Sequence, residues 1–231
     1  MERKEEEKQN SLKKFWNWLW ESDSWWSYLV FLILVFIVIK LIFLPGLGLI
    51  FGTSLPLAIV ESSSMDHNSL EYCLQAEQII INGKVTVVCT EWSSNEYEIC
   101  GQKILEKKFL SVDNYWSTCG AWYEDKNITQ EQFESFKFKN GFRKGDIMII
   151  FGKKDINLGD VIIFNAGRSN PLIHRVISLS PLQTKGDHNS AQLSEEKSIN
   201  ENQIVGVAWG RIPYLGWIKL FVVETFNKIL R

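Results

Sequence analysis

The longest apolar run in the chain is WWSYLVFLILVFIVIKLIFL, Trp25 to Leu44, with one charge, Lys40. At 1.5 Å per residue, such a run spans about 30 Å, the depth of a bilayer core. It predicts a transmembrane helix over residues 25–46, stopped by Pro45 and Gly46. Lys40 is read as snorkelling toward the outer headgroups from near the helix end. A cleaved signal peptide would have a shorter apolar core and a prompt small-residue cleavage site, so a retained anchor is expected.

Beyond the helix the periodicity changes to that of strands. Leu55–Ser62 is a short apolar run, and Gln78–Val88 reads as a hairpin turning on Asn82-Gly83. Residues 90–142 are polar and aromatic, with a helix expected near Thr129–Phe136, capped by Thr129 with Gln132 three residues on. Four strands then follow: Asp146–Phe151, Asp160–Asn165, Leu172–Leu179 and Gln203–Trp209, separated by Gly-, Asn- and Pro-bearing turns. Leu215–Arg231 has helical periodicity and fits either a membrane surface or a core. The pattern predicts a mostly β protein: an N-terminal transmembrane helix, then an all-β, barrel- or sandwich-like domain over 47–215, with an inserted α/β region at about 70–140 and a C-terminal amphipathic helix at 216–231. Residues 1–24 form a charged, Trp-rich segment.

Charge orients the anchor. Arg3, Lys4, Lys8, Lys13 and Lys14 precede it, and residues 51–70 contain no Lys or Arg. The excess of basic residues on one flank places the N-terminus in the cytoplasm and the β domain outside, as a single-pass protein of the cell membrane. Six aromatic residues between Trp16 and Tyr28 suit the inner interface. A net charge of −2 offers no field for nucleic acid. Cys73, Cys89, Cys100 and Cys119 all follow the anchor and lack C-x-x-C spacing, so two disulfides, in any of three pairings, are expected rather than zinc. Three scattered histidines give no metal site, and no cofactor is expected. Asn127-Ile128-Thr129 is a glycosylation sequon.

The candidate chemistry lies in Glu61-Ser62-Ser63-Ser64-Met65, in His174 within LIHRV, and in Asp187 within TKGDHN. Serine, histidine and carboxylate on a β scaffold can form a nucleophile, base and orienter. If residues 62–64 are extended, Ser62 and Ser64 face one way and Ser63 the other.

Ser-x-Ser-Met outside a transmembrane helix, Gly-Asp before strands, His-Arg-Val, Thr-Lys-Gly-Asp and Arg-Ile-Pro-Tyr-Leu-Gly-Trp together resemble signal peptidase I, of the archaeal and endoplasmic-reticulum type that uses histidine rather than lysine. The resemblance covers residues 25–65 and 140–220. It implies a membrane-anchored serine endopeptidase that removes signal peptides from exported precursors after small residues. Its implied roles are Ser64 as nucleophile, His174 as general base, Asp187 as orienting acid, and Ser62 with the Ser64 N–H as oxyanion donors. Implied partners are signal-peptide-bearing precursors, the lipid bilayer and protein-export machinery.

The chain departs from the family pattern in three places. Asp66 and His67 follow Ser-Met where proline is usual, which makes His67 a rival base. His188 interrupts Gly-Asp-Asn. Leu193 occupies the second acidic position, leaving Asp187, Glu195 and Glu196 as candidate orienting acids. Two further readings fit the pattern: a non-catalytic tethered β module, and a tethered hydrolase of another precursor or a lipid ester.

Overall fold

The protein is described by a computed structural model over residues 13–81, 84–108, 110–152, 155–221 and 225. The chain divides into two compact units, 1–54 and 55–231.

In the first unit, residues 13–21 are helical, and a continuous helix runs from Trp25 to Phe51. Its 27 residues, of mean hydropathy 2.9, are long and apolar enough to cross a membrane. The stop expected at Pro45-Gly46 does not occur. Ile39–Phe43 is a π-helical turn, in which the Leu44 N–H bonds back to the Ile39 carbonyl. The wider turn delivers Pro45 to the first turn of the next α-helical segment, Leu44–Phe51, where a missing N–H is tolerated. Gly52, left-handed at φ 65°, ends the helix. Lys40 therefore lies well inside the apolar helix rather than a turn from its end.

The second unit is mostly β, in two antiparallel sheets. Strands β1 (Leu57–Ile59), β5 (Ile147–Phe151), β6 (Val161–Phe164), β7 (Leu172–Leu179), β8 (Leu182–Lys185) and β9 (Ile204–Ile212) form a six-stranded sheet in the order β1-β5-β9-β6-β7-β8. Among the described residues β1 and β8 remain edges, so the sheet is open and the expected barrel does not close. The central strand β6 is buried at every position. Val161 and Ile163 enter one core with Val60, Met65, Phe142 and Met148, while Ile162 and Phe164 enter another with Val176 and Val207. Two buried faces explain why VIIF carries no polar alternation.

The insertion folds as its own layer. Strands β2 (Leu70–Ile81), β3 (Lys84–Ile99) and β4 (Gln102–Ile104) make a three-stranded sheet. The pairing Ile81↔Lys84 brackets Asn82-Gly83, which lie outside the described residues. Helices Val112–Glu124 and Gln130–Ser135 follow, the second opened by the expected Thr129/Gln132 capping box. Tyr115, Trp116, Tyr123, Ile128 and Phe133 form its core with Ile99 and with Ile177 of β7. The cysteines pair as Cys73–Cys89 and Cys100–Cys119. Asn127 is exposed, at φ 59°. At the C-terminus residues 217–221 are helical, with Leu220 buried and Ile218 and Phe221 exposed; most of the remaining expected helix lies outside the described residues.

Candidate active site

Ser64 lies in a turn between β1 and the insertion. The Asp66 N–H donates to the Ser63 carbonyl at 2.9 Å, so the serine stretch is folded back rather than extended. Met65 is buried in the main core beside it and fixes the turn. Burying a side chain of that size contributes about 1.5–3 kcal/mol. Ser62 and Ser64 still converge, with their hydroxyl oxygens 3.1 Å apart, because the turn and not the strand alternation brings them together.

His174 lies on β7, buried, between Ile173 and Arg175. Its Nε2 is 2.9 Å from Ser64 Oγ, and its Nδ1 is 2.5 Å from Glu196 Oε1. Glu196 is fully buried at the end of a short 3₁₀ turn, Ser194–Glu196. It also accepts from Thr184 Oγ1 at 3.1 Å and from the Leu193 N–H at 2.8 Å. With Nδ1 donating to this carboxylate, Nε2 presents its lone pair to the serine hydroxyl. Gly186 allows the close approach: a Cβ there would lie 2.8 Å from the Ser64 carbonyl oxygen and 2.9 Å from His174 Nε2.

Asp187 does not reach this set. Consecutive residues on a strand point to opposite faces. His174 therefore faces Ser64, and its neighbour Arg175 faces Asp187, bonded through Nη2 at 2.7 Å and Nε at 2.9 Å. Asp187 also accepts from His67 Nε2 at 2.9 Å and Tyr123 Oη at 3.0 Å. The remaining guanidinium N–H groups meet the carbonyls of Lys137, Phe138 and Gly159. Burial pushes the Asp187 carboxyl up, but the Arg175 charge and the His67 and Arg175 hydrogen bonds outweigh it and hold it well below the usual carboxylate range. Asp187 is thus the hub of a buried charge network, and Glu196 is the acid in contact with the imidazole.

His67, His188 and Glu195 each have partners away from the serine. His67 is turned toward Asp187 and stacked on Tyr115, with ring centroids 3.8 Å apart. His188 Nδ1 lies 2.9 Å from the Asp66 carbonyl. Glu195 points to solvent and pairs with Arg168 at 2.8 Å. Sequence reasoning does not single out Arg175, Lys185, Tyr115 or Tyr123. A signal for Arg175 was available: a charge within the apolar strand LIHRV needs a buried counter-charge.

Lys185 is buried, its ammonium donating to the Gly186 carbonyl at 3.1 Å. Burial lowers its pKa to about 8 against the opposing pull of Asp187 and Glu196. The unfolded chain, with a lysine pKa near 10.4, binds the proton more tightly. The fold therefore carries a penalty below about pH 8 that is relieved as pH rises toward about 10.4. Lys185→Met is expected to flatten the rise in stability over that window, read from urea midpoints between pH 7.5 and 10.

A cleft of about 460 Å³ opens beside Ser64, lined by Leu57, Ile59, Ser62, Leu172 and His174. One wall is the free edge of β1. Among the described residues no group of three or more His, Cys, Asp or Glu side chains is arranged to hold a metal.

No family model matches the chain. It is similar to signal peptidase complex catalytic subunits named SEC11. That of Chaetomium globosum is 28% identical over 98 residues, 36% of this chain and 57% of the relative. That of Schizosaccharomyces pombe is 34% identical over 105 residues, 40% and 53%. That of Saccharomyces cerevisiae is 33% identical over 98 residues, 36% and 59%. The chain spans a little over half the length of the relatives it matches. The matched stretch, somewhat over a third of the chain, is similar to signal peptidase complex catalytic subunits of eukaryotes.

Proposed function

We propose that this chain is a membrane-anchored serine endopeptidase that removes signal peptides from exported precursors. The observation that carries the reading is one contact: Ser64 Oγ at 2.9 Å from a buried imidazole whose other nitrogen meets a buried carboxylate. A serine hydroxyl is a weak nucleophile at neutral pH and needs a base within hydrogen-bond reach. In this mechanism His174 takes the Ser64 proton as the oxygen attacks the scissile carbonyl. Glu196 holds the imidazole tautomer and stabilises the imidazolium. The Ser62 hydroxyl and the Ser64 N–H hold the tetrahedral oxyanion, a donor of this kind lowering the barrier by about 3–4 kcal/mol. The leaving amine takes the proton back from His174, and water repeats the sequence to release the acyl group.

The substrate adds as an extended strand along β1, and the cleft takes small side chains before the cut. The apolar helix keeps the enzyme in the membrane with its N-terminus cytoplasmic and the β unit outside, where exported precursors emerge. The relatives are named as subunits of a signal peptidase complex; partner subunits and the export machinery are the corresponding partners here.

The test is cleavage of a secretory precursor by the purified full chain in detergent, with the new N-terminus read by mass spectrometry. Cleavage after a small residue is expected, unchanged by chelators. Wild-type rates from Ser64→Ala overturn the proposal, and cleavage of lipid esters but no precursor favours a tethered hydrolase of another kind.

A further inference from the structure

The insertion lies outside the stretches that resemble the family, yet it holds the turn on which Ser64 and His174 rest. That turn is Lys185–His188. Gly186 is packed against both the Ser64 carbonyl and the His174 ring, and the His188 N–H donates to the Ser64 carbonyl at 2.8 Å. Much of the grip on its outer side comes from the insertion. Tyr115 Oη donates to the Asp187 carbonyl at 2.8 Å, and Tyr123 Oη to the Asp187 carboxylate at 3.0 Å. The Cys100 N–H donates to the His188 carbonyl at 2.9 Å. Trp122 lies 4.9 Å from the Lys185 ammonium. Tyr115 also stacks on His67, three residues beyond the serine. Both ends of the turn and the chain after Ser64 therefore meet one small group of insertion residues.

Two parts of the insertion supply those contacts: the Cys100-Gly101 turn and the helix Val112–Glu124. The disulfide Cys100–Cys119 ties one to the other. The second disulfide, Cys73–Cys89, spans the β2–β3 ribbon and joins strands that make none of these contacts. The two bridges thus differ in what they connect.

We propose that the insertion is a positioning element for the Ser64–His174 pair, a clamp closed by Cys100–Cys119 and seated on residues 185–188 through Tyr115 and Tyr123. The clamp touches no reacting atom. It fixes where the Ser64 oxygen sits relative to the imidazole, and displacements near 1 Å at a reacting centre cost up to about a hundredfold in rate. This inference rests on the serine–histidine reading above.

The experiment replaces the nucleophile with a reporter. In Ser64→Cys, with both disulfides intact, the introduced thiol is the only free one, and a neighbouring imidazole raises its thiolate fraction. Its alkylation by iodoacetamide is followed at pH 6–8, beside kcat and KM for precursor cleavage in the Ser64 chain. Tyr115→Phe keeps the ring stacked on His67 and loses only the hydroxyl. It is expected to slow alkylation about fivefold to tenfold and to lower kcat by about as much, with KM unchanged. The pair Cys100→Ser with Cys119→Ser is expected to do the same, and Cys73→Ser with Cys89→Ser to leave both readouts at the parent value. Unchanged alkylation and kcat in Tyr115→Phe overturn the clamp. So does a rise in KM with kcat retained, which assigns the insertion to substrate binding. His174→Ala in the Ser64→Cys background reports on the underlying reading: if alkylation is indifferent to it, the serine–histidine assignment fails, whatever the clamp does.

Discussion

His174→Ala is expected to lower kcat for precursor cleavage by about 10⁴- to 10⁶-fold while leaving the fold intact. In serine hydrolases, removing the base costs about as much as removing the whole triad, because nucleophile, base and acid act as one unit. His174 lies 2.9 Å from Ser64 Oγ, and no second imidazole stands ready to replace it, since His67 is committed to Asp187 and His188 to the Asp66 carbonyl. Glu196→Gln keeps the shape but offers an amide where a carboxylate held the tautomer. Its expected loss is about 10⁴-fold, the size seen when a triad acid becomes an amide. The single amide oxygen of that variant can accept from Thr184 and His174 or from the Leu193 N–H but not from both sets, so a stability loss of about 1–3 kcal/mol accompanies the loss of turnover. The check is kcat and KM for the three chains at matched folding, judged by near-UV circular dichroism. Near-wild-type turnover by His174→Ala removes the proposed base.

Some of this site is legible in the chain, and the limits are instructive. The strand Leu172–Leu179 can be read to its observed ends, because LIHRVISL is bounded by Pro171 at one end and Ser180-Pro181 at the other. The Thr129/Gln132 cap is legible because its bonds are local. The orienting acid is not. Glu196 reaches His174 only because β8 and a 3₁₀ turn fold back over β7, a long-range arrangement that sequence spacing does not encode. The TKGDHN box makes Asp187 conspicuous, but strand alternation assigns it to Arg175 once the register Arg175↔Lys185 is known. The open sheet and the helix running through Pro45 are hidden for a similar reason: each depends on pairing, between strands or within a π turn, that local propensity does not specify.

Asp187→Ala is expected to cost about 3–5 kcal/mol of stability, a large share of the roughly 5–15 kcal/mol that holds a typical domain together. The loss arises from what remains. Arg175 is fully buried, and without the carboxylate its charge stays in the interior with three carbonyls and the rings of Phe133 and Phe136 but no counter-charge bonded to it. His67 Nε2 and Tyr123 Oη lose an acceptor at the same time. Replacing a buried ion pair by apolar residues is often neutral, but Arg175→Met with Asp187→Leu should not rescue this site. The arginine also donates to the carbonyls of Lys137, Phe138 and Gly159; the Phe138 carbonyl keeps the Gly141 N–H, but the buried Gly159 carbonyl would lose this donor. The pH dependence has a definite sign. The Asp187 carboxyl is held below its unfolded value, so its contribution is complete above about pH 4 and is lost as pH falls through the unfolded value toward the folded one. Asp187→Asn should remove that part of the acid dependence, seen as a shallower fall of the urea midpoint between about pH 4 and 2. Equal stability of Asp187→Ala and the parent chain would mean that Arg175 finds compensation the structure does not hold, and would return Asp187 to candidacy for a role in the chemistry.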